Sequence, residues 1–249
     1  MMPNEILVPF VVFCGSLIYG IFGFGDAMFA MPFLSVLIGV KTATPLMTLN
    51  GCTLAAILFI KHYKDIDWKR AKWLVFSSLF GIPFGIYFLK NGNELYTKII
   101  LGLIISSVSI YNLFLKKMNA HHNNIHKNWV FFFGFIAGVL GGAFNTGGPS
   151  VVIFGTLSGW SQIQFISTLQ GYFFPSDLCI IFGHFYSGLL TNTVLHYYLL
   201  SFPFLFLAVY IGHKIRKLIP EHKFVKYVFV ILFIVGVFFL IHSILLLQS

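Results

Sequence analysis

Of the seven acidic side chains in this sequence, two lie deep inside apolar runs. Asp26 interrupts "GIFGFGDAMFAMP" (residues 20–32), and Asp177 interrupts "FFPSDLC" (residues 173–179). A carboxyl in such surroundings has a short list of uses. Asp26 can cap a helix that runs from Ala27 onward, carry a proton during a transport cycle, or take part in a structural ion pair or water contact. Asp177 has the same choice between a cap, following Pro175, and a proton carrier. A second interruption, "GGAFNTGGPS" (residues 141–150), brings an amide and two hydroxyls into an apolar run. Asn50 in "TLNG" (48–51) and Gln170 in "TLQG" (168–171) occupy matching places. Each can hydrogen-bond a solute or tie two helices together, and the residues leave that choice open.

Glycines at both interruptions let the chain leave the helix. At membrane depth, backbone out of a helix persists only where it is buried in protein or lines a polar cavity. Paired interruptions are the best sequence-level pointer to a transporter binding site; the alternative is close helix packing through small residues. A half-helix starting after "GGAFNTGG" would aim free N–H groups and a partial positive charge at a cavity, which suits an anion. Neither interruption holds Lys or Arg. The candidate solute-binding set is therefore Gly23, Gly25, Asn50, Asn145, Thr146, Gly147, Gly148, Ser150 and Gln170, with Asp26 and Asp177 as candidate proton carriers. Pro32 and Pro149 are expected near half-helix starts.

These residues need a helical membrane scaffold, and the composition supplies one. The chain of 249 residues is 58% hydrophobic and only 9% charged, against about 25% charged residues in soluble domains. Its mean hydropathy is +0.88. Apolar runs near 5–38, 43–61, 72–89, 96–115, 129–155, 162–187, 192–213 and 224–247 predict an all-α polytopic membrane protein of one domain. Residues 1–21 lack a basic start and a small-residue cleavage site, so they read as the first membrane segment rather than a signal peptide. Three matches in order, "TLNG" to "TLQG", "GIFGFG" to "GVLGGA" and "NELYTKIILG" to "PEHKFVKYVF", recur at offsets of roughly 118 to 127. They predict two four-segment repeats, about 1–118 and 127–249, joined by a basic loop at 116–128. The first segment of each repeat is broken.

Positive charge tests the topology. If eight segments simply cross, Lys and Arg divide eight against eight, whereas cytoplasmic loops should hold the excess. If the broken segments dip and return, or make two short crossings each, the division becomes 13 against 3. The repeats are then inverted, loops 61–72, 116–127 and 214–226 are cytoplasmic, and both termini lie outside, in a plasma or bacterial inner membrane. The same clustering argues against nucleic acid as the partner of a formal charge of +9; the expected partners are the bilayer and a small anionic solute. Cys14, Cys52 and Cys179 are unclustered and give no disulfide framework or metal spacing. His184 and His196 read as ordinary segment-end histidines, so no cofactor is expected. Intramembrane enzyme chemistry finds no HExxH or GxSxG, and no phosphate loop is present. A secondary transporter is the leading reading, and a passive anion channel is the other.

At "GFGDAMFAMPFL" and "GGAFNTGGP" the sequence resembles the sulfite exporter TauE/SafE family of membrane transporters, and the resemblance extends over nearly the whole chain. Many members carry a run of glycines where this chain has Gly25, Asp26 and Ala27. The resemblance implies transport of a small anion such as sulfite, a sulfonate or another organosulfur compound.

Overall fold

The computed structural model describes residues 4–110, 128–160, 162–218 and 237. Among them the chain is helical with no strand: α1 (Asn4–Phe22), α2 (Asp26–Ile38), α3 (Val40–His62), α4 (Trp68–Asn91), α5 (Glu94–Ile110), α6 (Trp129–Phe144), α7 (Gly148–Leu157), α8 (Gln162–Tyr186) and α9 (Asn192–Leu218). Among the described residues five spans are long and apolar enough to cross a membrane: Asn4–Phe22, Val40–Asp65, Trp68–Asn91, Ile163–Tyr186 and Asn192–Arg216. Large apolar side chains such as Phe10, Phe80, Phe84, Phe182 and Tyr210 face outward, as a hydrocarbon solvent permits. The interior joins apolar side chains such as Met31, Leu34 and Phe144 with a set of polar ones. Thr44, Thr48, Asn50, Ser78, Thr168 and Gln170 are wholly buried.

Both expected interruptions are present. The apolar run at 5–38 divides into α1 and α2 around Gly23–Gly25, and that at 129–155 divides into α6 and α7 around Asn145–Gly147. The last expected segment, 224–247, and the loop at 116–127 fall outside the described residues. One expectation is corrected: Pro32 is not near a helix start but stands seventh in α2, because that helix begins directly after Gly25. Pro149 does fall in the first turn of α7.

Two helix pairs form the closest seams, α4 with α6 and α1 with α9, while α3 and α8 cross through the centre. Glycine makes the first seam possible. Gly81 and Gly85 on α4 face the α6 row Gly134, Gly138 and Gly142, each in backbone contact with the other helix. This is packing of small residues at four-residue spacing, the arrangement that lets membrane helices gain van der Waals contact. Gly20 and Gly212 do the same between α1 and α9.

The seam is testable. A Cβ at Gly138 would stand 2.8 Å from the Cα of Ser78, where only backbone can yield. Gly138→Ala should cost about 1–3 kcal/mol through overpacking, read as a lower thermal midpoint of the detergent-solubilised protein. Gly141→Ala should leave the midpoint nearly unchanged, because its new Cβ meets the flexible end of the Ile180 side chain at 3.1 Å.

Candidate functional site

The first interruption is built from two left-handed glycines. Gly23 (φ 78°) closes α1 with its N–H on the Tyr19 carbonyl at 2.7 Å, and Gly25 (φ 96°) opens α2. Side chains other than glycine rarely adopt such φ values, so the turn at 23–25 follows from the sequence. Between them Phe24 is buried against Phe165 and Phe22. The buried carbonyl of Gly23 is satisfied by a side chain. Gln170 of α8 donates Nε2 to it at 2.9 Å, and Tyr19 donates its hydroxyl to Gln170 Oε1 at 2.6 Å.

The second interruption closes differently. Asn145 ends α6 in the left-handed region (φ 55°), with its N–H on the Gly141 carbonyl at 2.8 Å. Its amide Nδ2 donates to the Met47 carbonyl of α3 at 2.9 Å, and Thr44 Oγ1 of α3 donates to the Ala143 carbonyl at 3.3 Å. Each interruption is thus tied to the central helix of the opposite half. Break one is held by α8 and break two by α3.

Between the two breaks lies a cavity of about 20 Å3, room for about one water. It is lined by the start of α2 (Gly25, Asp26, Ala27, Met28), by the second break and the start of α7 (Asn145, Thr146, Gly148, Pro149), by Gly51 of α3, by Phe173 and Asp177 of α8, and by Tyr19 of α1. Two helix N-termini therefore share one cavity. Asp26 and Asp177, 151 positions apart in sequence, meet there. The point where a Cβ would stand on Gly51 is 3.4 Å from Asp177 Oδ2, 3.7 Å from Asp26 Oδ2 and 3.1 Å from Asn145 Nδ2. No Lys or Arg lines the cavity among the described residues.

Six of the expected residues line this space: Gly25, Asp26, Asn145, Thr146, Gly148 and Asp177. Others serve the scaffold around it. Ser150 donates to the Phe133 carbonyl at 2.9 Å, Gly147 lies where a Cβ would stand 2.5 Å from the Ala137 carbonyl, and Gly23 and Gln170 are engaged with each other. Asn50 is wholly buried, and neither atom of its amide has a partner among the described residues.

Both capping readings are corrected. The cap of α2 is Gly25, so Asp26 stands inside the first turn, where a carboxylate still suits the helix dipole. Asp177 caps nothing, because α8 runs unbroken through Pro175 from Gln162 to Tyr186. Asp26 forms no ion pair among the described residues, where the pairs are Asp67–Arg70, Glu94–Lys98 and Glu5–His196. His184 does stand in the last turn of α8, as the sequence suggests, but not as an exposed boundary residue. It is wholly buried, with Nε2 3.2 Å from the Gly142 carbonyl. The reading of the sequence missed Gly51, although "TLNG" contains it, and Tyr19 and Phe173, which nothing in an apolar run marks.

Compared with known families, the chain matches the family model described as "Sulfite exporter TauE/SafE" over residues 8–239. The chain belongs to the sulfite exporter TauE/SafE family. No curated protein and no solved structure matches it. Membership makes the protein a multi-pass membrane transporter rather than an enzyme. In this TauE/SafE protein the two glycine-rich stretches that carry the resemblance are the two breaks that close around one cavity.

The tie at the first break has a measurable weight. Gln170→Leu strands the buried Gly23 carbonyl and the Tyr19 hydroxyl, a loss of about 1–3 kcal/mol for an unpaired buried group, seen as a lower thermal midpoint. Tyr19→Phe keeps the bond to Gly23 and should lower the midpoint less.

Proposed function

We propose that the protein is a secondary transporter of a small sulfur-containing anion, sulfite or a close organosulfur relative, working by alternating access around the paired breaks. The observation that carries this reading is the shared cavity at the starts of α2 and α7. Each helix N-terminus offers roughly half a positive charge and free N–H groups. With no cation in the lining among the described residues, an anion held there meets dipoles and neutral polar groups, an arrangement weak enough to permit release. The cavity is too small for sulfite as it stands, so loading requires the breaks to move apart, which favours alternating access over an open channel.

The helix pairings support the duplicated, inverted architecture. If α1 to α4 correspond to α6 to α9, then α1 with α9 and α4 with α6 are one pairing taken twice, as are α2 with α3 and α7 with α8. The charge division of 13 against 3 supports cytoplasmic loops at 61–72, 116–127 and 214–226, with both termini outside, in a plasma or bacterial inner membrane. Coupling falls to Asp26. An ionised carboxyl beside the anion would repel it, so a proton bound to Asp26 accompanies the substrate and is released with it.

Uptake of labelled sulfite into proteoliposomes, with and without an imposed pH gradient, tests the reading. Saturable uptake that accumulates only with the gradient is expected. Asp26→Asn should retain exchange of internal for external sulfite and lose accumulation. Flux that rises linearly with concentration would favour a channel, and absence of flux after verified reconstitution would remove sulfite as the substrate.

A further inference from the structure

The bare Cα of Gly51 lines the cavity, and the three atoms nearest to where its Cβ would stand are all polar. Asp26 Oδ2 arrives from α2, Asp177 Oδ2 from α8 and Asn145 Nδ2 from the second break. Thr146, only 1% exposed, also lines the space, and its hydroxyl has no partner among the described residues; the same holds for Asp26 Oδ2. A buried water needs two to four polar partners and room for about one probe sphere. The cavity offers four such groups and about 20 Å3. A β-carbon at position 51 would occupy the space that these groups face.

We propose that a single water seated against Gly51 bridges Asp26 and Asp177 and relays one proton between them, with Gly51 as the positioning residue that keeps the seat open. In the relay the Asp26 carboxyl donates its proton to the water oxygen while the water donates one of its own protons to the Asp177 carboxylate. One O–H bond breaks and one forms at each end. The water is regenerated, and the pair as a whole keeps a single proton. The relay joins a carboxyl on the short helix α2 to one on the central helix α8, so the proton passes between two elements that can move relative to each other. The titratable side chains close to the pair are Tyr19, whose hydroxyl is given to Gln170, Cys52 beside Gly51, and Tyr172 on α8, with His184 seven residues beyond Asp177 and engaged with Gly142. None of them is a cation that would hold both carboxyls ionised.

This relay rests on the transport reading for its flux measurement but not for its spectroscopic one. The new Cβ of Gly51→Ala stands 3.1 Å or more from its nearest neighbours, which are ends of side chains, so the variant should fold. Gly51→Ala is expected to lose the sulfite accumulation driven by a pH gradient, the phenotype also expected of Asp177→Asn. In pH-difference infrared spectra of the reconstituted wild-type protein, Asp177→Asn should shift the Asp26 carboxyl band, and Gly51→Ala should remove that dependence. Gradient-driven accumulation at the wild-type level in Gly51→Ala would overturn the relay. So would an Asp26 band that Asp177→Asn leaves unmoved, and this second result decides the matter even if Gly51→Ala fails to reach the membrane. Loss of sulfite flux in the wild-type protein with the infrared coupling intact would count against the substrate and leave the relay standing.

Discussion

Every backbone N–H and C=O that leaves a helix inside a bilayer must find a partner within the protein, and the arrangement of this chain depends on how it meets that requirement at two places. Lipid offers no hydrogen bonds, and an unsatisfied group costs several kcal/mol. At the first break the Gly23 carbonyl is met by Gln170; at the second, Asn145 and Thr44 tie the turn to α3. The ties fix where the breaks lie. Because they reach across from α8 and α3, the two central helices bring both breaks to one cavity, and the starts of α2 and α7 follow.

The seams around this centre answer a different constraint. Apolar association is not driven by water here, so contact area must come from close approach. The glycine rows of α4 and α6 and the Gly20–Gly212 contact let backbone meet backbone. Many bulky side chains are consequently turned outward to lipid, while the interior combines apolar side chains such as Met31, Leu34 and Phe144 with small and polar groups. This explains how one chain can be 18% aromatic and still bury a belt of serines, threonines and amides. An interior of this kind offers polar partners at membrane depth.

Much of this was legible in the sequence, for identifiable reasons. Gly, Asp, Asn and Pro inside apolar runs mark departures from the helix regardless of tertiary context, so both breaks and the presence of Asp26, Asn145 and Thr146 at them could be read directly. The role of an amide could not. Gln170 and Asn50 occupy matching positions, yet the longer side chain reaches the Gly23 carbonyl while the shorter one bonds to nothing among the described residues. One methylene separates a tie from a free amide, and that difference depends on a distance between helices that no pattern encodes. The same limit hid Gly51, whose importance is the space it leaves rather than any group it carries. Asp177 was visible as a buried carboxyl, but Pro175 suggested a helix start, whereas packed neighbours allow α8 to run through it.

On the transport reading, charge bookkeeping in the cavity ties these features to function. Two helix starts contribute about one positive charge between them, and no cationic side chain among the described residues adds to it. One negative charge is thus matched, whether it belongs to a substrate anion or to an ionised carboxyl. A second negative charge in the same desolvated space has no counterpart and is strongly disfavoured. An anion and an ionised carboxyl therefore exclude each other, and loading the anion requires the carboxyls to hold their protons. When the anion leaves, one carboxyl can ionise in its place and satisfy the helix starts. Coupling of this kind needs no separate ion site. It follows from placing two carboxyls and two helix starts around a cavity with room for a single water.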